Sequence, residues 1–206
     1  SAMLDLCPHR GMPLSFGRLD GERVECFYHG WQFGMDGRCA AVPSLVSDSP
    51  IDPKKICVTS YPCQDQDGYI WIGTRQGGLN RYDQRSEEFT QYRYNEKVKS
   101  SLSDDHVTVL YLDHNDNLWV GTEQGLDLFD RTTASFTHYS YNPIEPESLT
   151  GKQVTAIHQD TRGRFWIGTS AGGLNRFNLQ NNTFTPYQHN PDDPRTISDN
   201  HITSII

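Results

Sequence analysis

Apolar and polar residues alternate along this chain in short runs, broken at frequent intervals by Gly, Asn, Asp or Pro. That pattern predicts short β-strands joined by tight turns. Residues 3–7 read as a first strand and 11–18 as a loop with a short strand. Asp20-Gly21 and Asp36-Gly37 read as hairpin turns, with strands at 24–26 and 31–33. Residues 43–55, rich in Ser, Pro and Asp, read as an irregular loop, and 58–61 and 69–72 as the last strands of the front part.

From there the pattern repeats. Trp71-Ile72-Gly73-Thr74 returns as Trp119-Val120-Gly121-Thr122 and as Trp166-Ile167-Gly168-Thr169. Asp65, Asp113 and Asp160 stand at one fixed distance before the tryptophans, and Gly68, Asp116 and Gly163 at another. Gly-Leu pairs follow at 78–79, 125–126 and 173–174, then Phe89/Tyr92, Phe136/Tyr139 and Phe184/Tyr187, then Leu102-Ser103, Leu149-Thr150 and Ile197-Ser198. A period of about 48 residues, with four short strands in each unit, predicts four-stranded antiparallel blades of a β-propeller. Each Trp is expected to pack on the neighbouring blade, and the Gly two positions later to permit close approach. Each Asp is expected to bond backbone N–H groups across a hairpin in which Gly68, Asp116 or Gly163 takes positive φ.

Candidate chemistry lies ahead of the repeats. Cys7-Pro8-His9-Arg10-Gly11 and Cys26-Phe27-Tyr28-His29-Gly30-Trp31 are two loops, each offering one thiolate and one imidazole. Two Cys and two His can hold zinc or a [2Fe–2S] cluster. Zinc sites of this composition usually pair Cys with Cys and His with His along the sequence. A Rieske centre needs the mixture seen here, because two His replace two Cys on one of its irons.

These loops resemble the cluster-binding loops of Rieske non-haem iron (ring-hydroxylating) oxygenases. Phe33, Gly37 and Pro43 stand where that family has a hairpin and a proline loop, and Tyr61, Gly68, Ile70 and Trp71 resemble its closing strand. Met12 and Tyr28 occupy the places where the respiratory branch carries two further cysteines, so the oxygenase branch fits better. The resemblance covers residues 1–72 and implies a [2Fe–2S] cluster with Cys7, His9, Cys26 and His29 as ligands. Around it, Gly11 and Gly30 would turn the loops and offer backbone N–H donors, and Trp31 would cover the cluster. Arg10 would meet a partner or stand in solvent. The implied partners are a reductase or ferredoxin and an oxygenase catalytic domain. The D-x-x-H-x₄-H pattern of that domain's mononuclear iron is absent, so one-electron transfer is expected, without oxygenation by this chain alone. The family has strands before this point, so the N-terminus reads as truncated.

Residues 64–206 resemble the β-propeller repeats of two-component regulators, carried by Trp-Ile-Gly-Thr, by Gly77-Gly78-Leu79-Asn80-Arg81 and by Gly172-Gly173-Leu174-Asn175-Arg176; the middle repeat, Gly125-Leu126-Asp127, is a poorer match. This resemblance implies a ligand-binding or sensor module with no redox activity. The two resemblances meet at residues 65–72, which can close one domain or begin the other, so the chain reads as a chimera. A natural fusion, a recombination product and an assembly artefact all give such a junction. The expected fold is all-β: a truncated Rieske-like antiparallel domain over 1–73, then two to three four-stranded propeller-type blades over 74–206. Cluster-domain burial argues for giving 69–72 to the front domain, leaving open blade edges prone to self-association. The front resemblance implies a cytoplasmic protein, the rear an extracytoplasmic one.

Composition adds limits. With a formal net charge of −8 over 206 residues and no basic half, nucleic acid is not the expected partner. No apolar run is long enough to span a membrane as a helix. All five cysteines lie in the first third. Cys39, Cys57 and Cys63 are expected to be small buried residues, and the six histidines of the repeats to be exposed strand or loop residues.

Overall fold

The computed structural model describes residues 2–45 and 52–206, so the middle of the irregular loop expected at 43–55 lies outside the described residues. Every strand pair is antiparallel, and the chain divides into two units, Ser1–Tyr61 and Pro62–Ile206.

In the first unit, β1 (Ala2–Met3) pairs with β6 (Ser60–Tyr61). Between them β2 (Arg18–Asp20), β3 (Arg23–Glu25), β4 (Gln32–Gly34) and β5 (Cys39–Ala41) form a four-stranded meander in sequence order. The turns foreseen at Gly21 and Gly37 are present, both glycines having positive φ. The expected strand over 3–7 shrinks to β1: Leu4 still bonds Thr59 O, but the chain then leaves the sheet to build the first loop. The core is small, with Cys7, Leu14, Cys26, Trp31, Phe33, Cys39 and Val58 buried together. Cys39 is buried as expected; Cys57 is exposed and Cys63 half-buried, because Cys57 sits at an isolated bridge to Arg38 outside the core.

The second unit contains three four-stranded meanders. Blade 1 comprises β7 (Cys63–Gln66), β8 (Tyr69–Gly73), β9 (Leu79–Asp83) and β10 (Glu88–Tyr92). Blade 2 comprises β11 (Val107–Leu112), β12 (Leu118–Thr122), β13 (Leu126–Asp130) and β14 (Ser135–Tyr139). Blade 3 comprises β15 (Val154–Gln159), β16 (Phe165–Thr169), β17 (Leu174–Asn178) and β18 (Thr183–Tyr187).

The strand Tyr69–Gly73 belongs to blade 1, not to the front unit as the sequence suggested. It pairs with β7 on one side and β9 on the other, which uses its backbone groups within the blade. Trp71 is 3% exposed and packs in one cluster with Val107, Leu110 and Phe129 of blade 2. The boundary therefore falls between Tyr61 and Pro62 rather than after residue 73.

The glycine of each Trp-x-Gly-Thr makes room for a side chain rather than for backbone. A Cβ on Gly73 would lie 2.3 Å from Val107 Cγ1, and one on Gly168 would lie 2.5 Å from Ile202 Cγ2. In blades 2 and 3 the aspartate ahead of the Trp works as foreseen. Asp113 accepts from the N–H groups of Asn115 and Asn117 and from Trp119 Nε1 at 3.0 Å; Asp160 does the same with Arg162, Arg164 and Trp166 Nε1 at 3.2 Å. Asp116 (φ 61°) and Gly163 (φ 78°) turn these hairpins. Blade 1 differs: Asp65 lies within β7 opposite Ile70, and the two residues Asp67 and Gly68 alone make the turn.

Candidate cluster-binding loops

Two loops of the front unit have the same backbone construction. In the first, the Cys7 N–H donates to Met12 O (2.8 Å) and the Gly11 N–H to Cys7 O (2.8 Å); in the second, Cys26 N–H donates to Trp31 O (2.8 Å) and Gly30 N–H to Cys26 O (2.9 Å). Each Gly has positive φ, 66° at Gly11 and 71° at Gly30, a region a β-carbon disfavours. The sequence suggested these two N–H groups as donors to a cluster, but the cysteine carbonyls already accept them. The backbone N–H groups of His9 and Arg10 instead act to lower the Cys7 pKa.

The construction sorts the four candidate ligands by depth. Cys7 and Cys26 are each 2% exposed, and their thiols are neighbours. Burial pushes the Cys7 thiol up, His9 N–H opposes that, and the adjacent Cys26 thiol adds to the rise. His9 is half-buried and His29 exposed, with ring centroids 4.7 Å apart. Desolvation, followed by the neighbouring His29 and Arg10, lowers the basicity of His9, which favours the neutral imidazole that ligates iron. Trp31 stacks on His9 at 4.5 Å and 2°, and its buried Nε1 has no hydrogen-bond partner. Arg10 is exposed.

Second-layer contacts escaped the sequence reading. Asp5 accepts from Ser15 N–H (2.6 Å) and Ser15 Oγ (2.7 Å), tying the approach to the first loop to its exit; these bonds lower the Asp5 carboxyl's pKa. Gln32 donates to Glu25 at 3.0 Å across the base of the second loop. These bonds join residues seven and ten positions apart, which a linear motif does not display. Pro43, expected beside the loops, lies over Gly30: a Cβ there would approach its ring to 3.2 Å.

Two inner thiols and two outer imidazoles fit a binuclear cluster in which each iron takes two protein ligands. Among the described residues no three His, Cys, Asp or Glu side chains form a group that could hold a metal ion. The repeat histidines are scattered. His114, His138, His189 and His201 are exposed as expected, while His106 and His158 are half-buried; His106 bonds Glu123 at 2.8 Å, His138 bonds Asp127 at 2.7 Å and His189 bonds Ile197 O at 2.8 Å.

The fold and site describe a small β domain with two paired Cys/His loops, followed by β-propeller blades. Comparison with known families agrees: residues 1–62 match the Rieske [2Fe-2S] domain, and residues 63–76, 101–124 and 148–171 match the two component regulator propeller. The chain thus resembles two families joined end to end. Protein TIC 55, chloroplastic, of Pisum sativum is 47% identical over 68 residues, which is 33% of this chain and 12% of that protein. Methylxanthine N1-demethylase NdmA of Pseudomonas putida is 45% identical over 71 residues, 34% of this chain and 20% of that enzyme. The chain therefore spans a small part of the relatives it matches. Among solved structures, the extracellular domain of a hybrid two component system of B. thetaiotaomicron aligns over 79% of this chain and 29% of its own, at 25% identity and a TM-score of 0.43. Among the described residues no helix is long and apolar enough to cross a membrane.

Proposed function

We propose that the front unit, residues 1–61, binds a Rieske-type [2Fe–2S] cluster and serves as a one-electron carrier. Cys7 and Cys26 hold the inner iron, and His9 and His29 the outer one. The observation that carries this reading is the matched pair of loops, which sets two buried thiols side by side beneath two imidazoles. When bound, the cluster supplies reversible one-electron redox chemistry at a potential raised by its neutral His ligands. The chain's residues do the rest. The small core around Phe33 and Cys39 keeps water from the thiolates, and the His9 and Arg10 N–H groups stabilise charge on Cys7 sulfur. The exposed face of His29 is the route by which a redox partner, a reductase or ferredoxin, and an oxygenase catalytic domain would be reached. Arg10, exposed beside His9, would meet the partner or stand in solvent.

Iron and acid-labile sulfide analysis with a visible spectrum tests this. The chain should be brown-red with about two irons and two sulfides per molecule. His29→Ala should lose the cluster, and Cys39→Ser should keep it. Zinc without labile sulfide, or a colourless chain after anaerobic reconstitution, would overturn the reading and leave the blades as a ligand-binding module.

A further inference from the structure

Four buried side-chain polar atoms among the described residues have no hydrogen-bond partner: Trp31 Nε1, Gln66 Oε1, Arg81 Nε and Asn175 Nδ2. The last three belong to side chains whose other polar atoms are bonded. Gln66 Nε2 donates to Asp116 O at 2.8 Å, Arg81 Nη2 to Thr90 Oγ1 at 3.4 Å, and Asn175 Oδ1 accepts from Thr150 Oγ1 at 2.8 Å. An indole has one polar atom, a donor, so of the four side chains only Trp31 has its whole hydrogen-bonding capacity unmet. Trp119 and Trp166 give the same atom to Asp113 and Asp160, at 3.0 and 3.2 Å. A buried donor left without an acceptor costs about 1–3 kcal/mol, a heavy charge on so small a core.

The place of Trp31 narrows what the acceptor is. The residue is 8% exposed and packs in one core with Cys7 and Cys26. Its carbonyl accepts the Cys26 N–H at 2.8 Å, which ties it to the second loop. Its ring lies parallel to the His9 imidazole of the first loop, at 2° and 4.5 Å. The indole thus sits among the candidate ligands of both loops. Neither cysteine sulfur accepts its N–H. A zinc ion held by four protein ligands would bring no acceptor either. A [2Fe–2S] cluster would, because its bridging sulfides are anionic and take hydrogen bonds from the surrounding protein.

We propose that Trp31 Nε1–H donates to a bridging sulfide of the cluster and so raises its reduction potential, an assignment that rests on the cluster reading given above. Reduction adds one negative charge, part of which falls on the sulfides. A donor already held at a sulfide stabilises that charge more than it stabilises the oxidised cluster. The stack on His9 and the bond from Cys26 hold the indole in place, so little rearrangement accompanies electron transfer.

Redox titration and pulsed electron paramagnetic resonance of the full chain test this. With an isotopic label on the indole nitrogens, the reduced wild type should show a weak coupling to one labelled nitrogen besides those of the His ligands. Trp31→Phe should lose that coupling, and its midpoint potential should fall below wild type at equal iron and sulfide per chain. The sign separates the bond from packing. A smaller ring that only admitted water would raise the potential, since solvent stabilises the added charge. No indole coupling in the wild type, or a Trp31→Phe potential equal to or above wild type, would overturn the proposal while the cluster stands. A chain that holds no iron and sulfide would overturn the function beneath it, and this bond with it.

Discussion

The indole of Trp31 lies parallel to the imidazole of His9, within 2° and with centroids 4.5 Å apart. The contact braces the exposed first loop against the buried core, since Trp31 packs in the same hydrophobic core as Cys7 and Cys26. Trp31→Ala should cost about 3–5 kcal/mol of stability, enough to unfold so small a unit, and iron content should fall with it. Trp31→Phe keeps an aromatic face and should retain most of both. Urea titration and iron per chain read the two effects separately.

Gly121 stands where blade 2 packs on blade 3. A Cβ there would lie 2.4 Å from Val109 Cγ1 and 2.9 Å from Val154 Cγ1. Gly121→Ala should therefore destabilise the second unit by roughly 1–3 kcal/mol through overpacking. Gly163→Ala, where only Gln159 Nε2 comes within 4.0 Å, should act through its positive φ alone and cost less. Thermal melts of the two variants make the comparison.

Asp113 gathers backbone and side-chain donors at one carboxylate, among them Trp119 Nε1, whose residue is 1% exposed. Burial raises the pKa of Asp113, but the Trp119 and Asn117 bonds outweigh it and hold the carboxyl below its ordinary value. Asp113→Ala would strand a buried indole N–H, at about 1–3 kcal/mol. Because the folded pKa is lowered, this stabilisation is present above the unfolded carboxylate value, about 3.9, and is lost as pH falls through the folded value. Wild-type and Asp113→Ala urea midpoints should therefore converge in acid; a gap that stays constant to pH 2 would refute the role.

Blade 2 carries a charge pair that its neighbours lack. Asp127 faces His138, where blade 1 has Asn80 facing Gln91 and blade 3 has Asn175 facing Pro186. Asp127 is buried and also accepts Ser103 N–H at 2.8 Å; His138 bonds Lys99 O at 2.8 Å through its other nitrogen. The Asp127 hydrogen bond raises the His138 pKa, with burial opposing it. A raised folded value means the stabilisation is complete below the ordinary imidazole value, about 6.5, and fades as pH climbs through the folded one. Urea midpoints should drop over that window in the wild type. The Asp127→Asn/His138→Gln double variant, which installs blade 1's pair, should flatten the drop.

The loops were legible in the sequence because their geometry is local: a Cys, a His and a positive-φ Gly within five residues specify the turn. The blades were legible because repetition multiplies a weak strand signal threefold. The ownership of Tyr69–Gly73 was not, since Asp-Gly-x-Ile-Trp suits either sheet and pairing with β7 and β9 decides it. Cys57 and Cys63 misled because cysteine is buried on average and these two lie outside the core. The Asp127 partner of His138 was not legible, because it is found only across a strand pair. The use of the Gly11 and Gly30 N–H groups within their own loops was likewise invisible until the carbonyls that accept them were placed.

The connecting loops set where this chain can be cut. Leu102 lies upstream of β11, yet it is buried with Phe129 and Phe136 of blade 2, and Ser100 holds the Phe136 N–H. Leu149 and Glu147 stand in the same relation to blade 3. A fragment trimmed to Val107–Tyr139 would leave its lid on the neighbouring piece, whereas one starting at Asn95 would carry that lid along. The unit that can be duplicated, transplanted or circularly permuted intact is therefore a loop with the blade that follows it.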